Sequence, residues 1–181
     1  MTILPQPRKV QWSGMKISDS LLPEFDHEVG TTRKVLERVP ENQWDWTPHE
    51  KSMKMGRLAC HVAEMPMFAT AIAKSDTMDF AKGDYKTIEA ANRQQLLDAF
   101  DKNSSEARAA IAGMSNEDLM KSWALLNDGT PLLSMPKIAV LRSFMMNHLI
   151  HHRGQLSVYL RLTNTPVPSI YGPSADDRGG M

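Results

Sequence analysis

The stretch that most constrains this chain runs from Ile138 to Leu162. Ile138, Leu141, Met145, Tyr159 and Leu162 recur there in steps of three and four or their sums, the spacing that keeps one face of a helix turned to a core. His148, His152 and Gln155 fall on the same steps, in the middle of that face. Polar groups at inward positions need hydrogen bonds or ligation, because burying them bare is costly. His148 and His152 stand one helical turn apart and project the same way, which makes them a ready pair of metal ligands.

The rest of the chain repeats the helical period. A first helix is expected over residues 18–39, capped by Ser18 or Ser20 and stopped by Pro40, with the seam Leu22, Phe25, Val29, Thr32, Leu36, Val39. Pro23 is tolerated in its opening turn. Trp44 and Trp46 follow in a Pro-bounded connector, either as lids on the core or as an aromatic wall for a substrate. A second helix is expected from just after 52 to about 74, with the seam Leu58, His61, Met65, Phe68, Ile72. His61 therefore shares the inward stripe, and Pro66, which frees the carbonyl of Val62, predicts a kink beside it. Residues 75–86 read as a polar crossing loop, and Thr87 as the cap of a third helix over 87–112 with Leu97, Phe100, Ala107 and Ile111 inward. Asn127-Asp128-Gly129 predicts a small hairpin whose Pro131 strand is an edge. Ser134 is the expected cap of the last helix, over 134–163, with Pro166 and Pro168 beyond its end.

Four long amphipathic helices read as an all-α, four-helix bundle with a small β-hairpin before the last helix. Residues 18–173 form the bundle; 1–17, broken by Pro5, Pro7 and Gly14, form an irregular arm that Val10 and Trp12 can dock, and 174–181 a mobile tail. A formal net charge of zero argues against nucleic acid or an anionic membrane surface as partner. One cysteine, Cys60, excludes an intrachain disulfide and fits a reducing cytoplasm. No apolar run approaches a membrane span, and no hydrophobic core follows the first charges as in a signal peptide.

The candidate chemistry is metal ligation by His61, His148 and His152. Imidazole suits zinc, nickel, iron or copper, and three protein ligands leave coordination positions open. The alternative is a buried histidine network that only fixes helix register. Gln155 either orients a ligand imidazole or bound water, or is a buried amide bonded to backbone. Glu64 either accepts from His61 or acts as a general base, or is a surface carboxylate. Arg153 reads as solvated or paired, with binding of an anionic substrate as the lesser alternative, and His151, His27, His49 and Cys60 as outside the site.

The segments Val39-Pro40-Glu41, Trp44-Asp45-Trp46-Thr47-Pro48-His49-Glu50-Lys51-Ser52, Leu58-Ala59-Cys60-His61-Val62-Ala63 and His148-Leu149-Ile150-His151-His152-Arg153-Gly154-Gln155-Leu156 resemble the DinB-like family. Leu160-Arg161-Leu162, Pro166-Val167-Pro168 and Tyr171-Gly172-Pro173 resemble the family's end, so the likeness spans residues 18–173. It implies up-down-down-up helices, often a homodimer, and a divalent metal on one histidine of the second helix and two of the last, which by motif are His61, His148 and His152. It also implies activity on a small molecule: members include thiol-dependent S-transferases and a mycothiol-dependent isomerase, and others carry a provisional hydrolase label. Some isomerase relatives have a carboxylate ligand where this chain has histidine, which weakens that transfer. The expectation is a cytoplasmic metal-dependent enzyme using zinc, nickel or iron to activate water or an external low-molecular-weight thiol. The competing expectation is a non-catalytic metal- or ligand-binding protein of a stress response.

Overall fold

The computed structural model describes residues 14–179; the docking expected of Val10 and Trp12 lies outside them. The helical seams become α1 (Ile17–Leu36), α2 (Met55–Lys74), α3 (Arg93–Gly113) and a long rod over residues 137–162. The rod is made of α5 (Lys137–Val140), a π-helical segment Leu141–Met146 and α6 (Asn147–Leu162). Between α3 and the rod lie a short α4 (Asn116–Met120), β2 (Ser122–Asn127) and β3 (Thr130–Pro136).

Several boundaries differ from the sequence reading for local reasons. Helix α3 starts at Arg93 instead of near Thr87, because Asn92 accepts from the Gln95 N–H and caps it. The rod starts at Lys137 because Ser134 to Pro136 still belong to β3. Helix α2 runs through Pro66 without interruption. Its N-terminus has no side-chain cap; the Met55 and Gly56 N–H groups instead donate to the carbonyls of Trp46 and Trp44. A Cβ at Gly56 would overlap the Trp44 indole, so glycine lets the connector close over the helix start. Both tryptophans pack against the core as lids.

The fold is mostly helical with a small three-stranded sheet, in which β2 lies between β1 (Thr77–Asp79) and β3. Its hairpin is the expected one, with positive φ at Asp128 and Gly129 in the turn, and Pro131 lies on the edge strand β3. The third strand was not expected. Residues of the crossing loop form β1 (Thr77–Asp79), parallel to β2. The buried Asp79 carboxylate fixes this addition, accepting from the N–H groups of Asp128 (3.0 Å), Gly129 (2.9 Å) and Ala81 (3.0 Å).

Ion pairs and ring contacts show how the helices run. Arg33 meets Asp101 and Asp26 meets Arg108, so α1 and α3 are antiparallel. Glu24 meets Arg142 and Glu28 meets Arg153, so α1 and the rod are parallel. His61 faces His148 and His152 while Phe68 faces Phe144, so α2 and the rod are antiparallel.

The π segment matters for the site. It takes one more residue per turn than an α-helix and so advances the inward face by one position. Beyond it the core residues are Leu149, Arg153, Leu156 and Leu160, each at most 1 % exposed. Gln155 and Leu162, expected on the seam, are exposed. His148 and His152 consequently sit on the flank of the buried face, turned towards α2. Residues 174–179, expected as a mobile tail, fold back: Ser174 donates to the Val167 carbonyl, and Asp176 and Asp177 accept from the Val167 and Ser169 N–H groups. Among the described residues no helix is long and apolar enough to cross a membrane.

Candidate metal centre

The histidines expected on two helices come together. One ligand atom from each of His61, His148 and His152 lies within 4.8 Å of the other two. The ring centroids of His61 are 5.3 Å from His148 and 4.6 Å from His152. His152 is nearly buried at 8 % exposure, while His61 and His148 are half-buried, so the cluster lies near the surface with one side accessible.

Two neighbours set the imidazole tautomers. Glu64 is fully buried, not the surface carboxylate that its sequence context favoured. It accepts from Arg57 Nη1 (2.8 Å) and Nη2 (2.6 Å), the Ile88 N–H (2.6 Å) and the Tyr85 hydroxyl, and its Oε2 lies 3.1 Å from His61 Nδ1. Burial alone would push this carboxyl up, but the bonds from His61, Arg57, Tyr85 and Ile88 outweigh it and hold the pKa at about 2. An ionised carboxylate only accepts, so His61 Nδ1 carries the proton of that bond and Nε2 is the nitrogen left to face the cluster. Gln155 Oε1 lies 2.6 Å from His152 Nδ1. An amide oxygen also only accepts, so His152 too presents a bare Nε2. Of the alternatives open for Gln155, the geometry matches the group that orients an imidazole.

His148 Nε2 lies 2.8 Å from His152 Nε2. With a lone pair on His152 Nε2, that contact requires either the proton of His148 or a shared cation between the nitrogens. Burial first, then the neighbouring histidines, lowers the His148 pKa to about 4. Burial likewise lowers that of His152. Neutral rings are the form that ligates. Converging ring nitrogens, with His61 and His152 oriented from behind, form a donor set that fits a divalent first-row cation.

The profile of the DinB family matches residues 14–178. This chain belongs to the DinB family. Among its relatives, YrdA of Bacillus subtilis (strain 168) is 24 % identical over 163 residues, covering 88 % of this chain and 90 % of YrdA. Two crystal structures of DinB-like proteins share the fold. YjoA of Bacillus subtilis superposes with a TM-score of 0.63 at 19 % identity, covering 80 % of this chain and 92 % of its own. A protein of Bacillus cereus ATCC 10987 superposes with a TM-score of 0.66 at 22 % identity, covering 86 % and 98 %.

His151, His49, His27 and Cys60 are not members of this DinB-family histidine cluster, although the His151 ring stands edge-on to that of His152 with centroids 4.9 Å apart. His151 is exposed, His49 accepts from the Lys51 N–H through Nδ1, and His27 stacks on Tyr171. Cys60 is buried, and burial raises its thiol pKa, which suits an inert small hydrophobe. Two groups escaped the sequence reading. Arg57 stands seven residues before Glu64 on the same face of α2, and that spacing was the available signal. Tyr85 comes from the crossing loop, where no periodicity points to it.

Proposed function

We propose that this protein is a metal-dependent enzyme acting on a small molecule, with zinc, nickel or iron held by His61, His148 and His152. The nucleophile is water or an external low-molecular-weight thiol, which makes the reaction hydrolysis or thiol S-transfer. When bound, such a cation lowers the pKa of water or a thiol and polarises a substrate oxygen. The observation that carries this reading is the convergence of three imidazoles, two of which, His61 and His152, are oriented from behind by Glu64 and Gln155.

The chain's own residues divide the work. Glu64, with its carboxyl held at about 2 and its oxygens engaged by five donors, is a poor base at neutral pH. It orients His61. Gln155 orients His152 and, being exposed, has an edge free for a second hydrogen bond to bound water or substrate. Cys60 does not belong to the trio, so a thiol nucleophile arrives with a cosubstrate. The pairing directions of the helices support the family's up-down-down-up course, and the family likeness supports a homodimer in the cytoplasm. Elemental analysis of purified protein, with hydrolytic and thiol–electrophile substrate panels, tests the reading. Turnover is expected in wild type and lost in His148→Ala and His152→Ala; turnover that survives both substitutions overturns it.

One observation favours a second reading, a non-catalytic metal- or ligand-binding protein of a stress response. Among the described residues, the cavity of about 310 Å³ lies against Met67, Phe68, Thr70 and Tyr85 and is not lined by the three histidines. Metal bound tightly, with every substrate panel silent, selects this reading.

A further inference from the structure

Next to His152 the chain places a buried charge. Arg153 is 1 % exposed, in a rod whose neighbouring inward positions are Leu149 and Leu156. Both terminal nitrogens of its guanidinium are engaged, with α1 and the C-terminal segment. Nη1 donates to Glu28 Oε2 (2.7 Å), the Glu28 carbonyl (3.3 Å) and Thr32 Oγ1 (3.2 Å). Nη2 donates to the Tyr171 hydroxyl (2.6 Å), which itself donates to the Glu28 carboxylate. Glu28 is 5 % exposed and Thr32 0 %.

A buried ion pair is weak evidence for stability, because desolvation offsets much of the attraction, and its best-attested use is to fix register. Here the register has a consequence. On an α-helix, His152 is turned about 100° from Arg153 and His148 about 140°, both to the same side. Pinning Arg153 to α1 therefore sets the angle at which both histidines face His61 on α2. Leucines at 149 and 156 would accept a slip of the rod about its axis, since apolar packing is not directional. A guanidinium bonded to a carboxylate, a carbonyl and two hydroxyls does not. The tolerance of such a site is about 0.5 Å and 10–20°, so this angle must be held.

We infer that Arg153, through Glu28, Thr32 and Tyr171, is a positioning residue for the histidine cluster: it sets the rotation of the last helix so that His148 and His152 converge on His61. The inference deepens the proposed function and rests on it for its consequence, but the geometry it concerns exists without metal.

The test replaces the pair as a unit. Glu28→Leu/Arg153→Met removes both charges and keeps apolar volume, a change that is often neutral or stabilising for the fold. At pH 7.5, imidazole ¹⁵N spectra of metal-free protein report the His152 tautomer, and competition with a chromophoric chelator reports zinc affinity. The expected result is a cooperative melt close to wild type, a mixture of His152 tautomers in place of the Nδ1–H form, and zinc binding weakened at least tenfold. If the double variant does not fold, Glu28→Gln, which keeps shape and an acceptor, is expected to shift the same tautomer signal by a smaller amount. An unchanged tautomer in whichever variant folds, or zinc affinity within twofold of a zinc-binding wild type in the double variant, overturns the inference. Wild type that binds no zinc, nickel or iron overturns the proposed function alone, because the tautomer still decides this point.

Discussion

Two polar clusters flank the same helix and are built on opposite plans. On the α1 side, Arg153, Glu28, Thr32 and Tyr171 form a closed set: charge is balanced, and the guanidinium and the carboxylate are matched within it. On the α2 side, Glu64, His61, His148, His152 and Gln155 form an open set. Its outer members are satisfied, yet His61 and His152 aim bare nitrogens inwards and His148 completes the convergence. A protein that only needed polar groups to fix helix register already has the first cluster. The second gathers three imidazoles whose ring nitrogens converge, an arrangement that could hold a cation.

The comparison breaks most sharply when one partner is removed from the closed set. Arg153→Met leaves Glu28 charged and unpaired in the core, and is expected to cost about 3–5 kcal/mol of stability. Urea unfolding measures it; a loss below about 1 kcal/mol would mean that water reaches Glu28 and the set is not closed. The open set responds the other way. Zinc or nickel at about 100 times its Kd is expected to stabilise wild type by about 2.7 kcal/mol, and a chelator to reverse it. His148→Ala and His152→Ala are expected to abolish that gain while leaving metal-free stability within about 1 kcal/mol, so thermal melts with and without metal separate ligation from packing.

The same contrast explains what could be read from the chain. The cluster was legible because histidine is unusual on an inward stripe, and three of them matched the helical period. The closed set was only half legible: Arg153 read as solvated or paired, and nothing in the helical period pointed to Glu28 as its partner. Two seams were also misplaced: α1 buries Leu21 and Glu28 where Leu22 and Val29 were expected. In the rod, the π segment moved the face by one residue, and no propensity announces a π segment. The hairpin was legible from Asp128-Gly129, whereas β1 depends on Asp79 reaching the turn of another hairpin, a contact distant in sequence. Glu64 illustrates both sides: its spacing from His61 was visible, but its burial depends on Tyr85 and Ile88 from a loop.

Glu64 links the open set to pH. Its carboxyl is lowered from 4.5 to about 2 in the fold, so between those values the unfolded chain binds the extra proton and stability rises with pH. The contribution is complete above about 4.5 and is lost as pH falls towards 2, on the order of 3 kcal/mol across the window. Glu64→Gln is expected to flatten that part of the stability profile, and at pH 7.5 to weaken metal binding about 10- to 100-fold, as loss of a group behind a ligand does. A steep acid transition that persists unchanged in Glu64→Gln would place the titration elsewhere.

The smallest effect is expected at Gln155. It is exposed, its bond to His152 Nδ1 competes with water, and a solvent molecule can replace its oxygen once the side chain is shortened. Gln155→Ala should therefore change metal-free stability by less than about 0.5 kcal/mol and weaken metal affinity by about tenfold or less, the lower edge of what ligand-orienting groups contribute. Turnover distinguishes its two possible duties. If Gln155 only holds His152, the loss in kcat/KM follows the loss in metal affinity and disappears at saturating metal. If its free edge also holds water or substrate, the loss persists at saturating metal, because what is missing then is a contact to the reacting molecule.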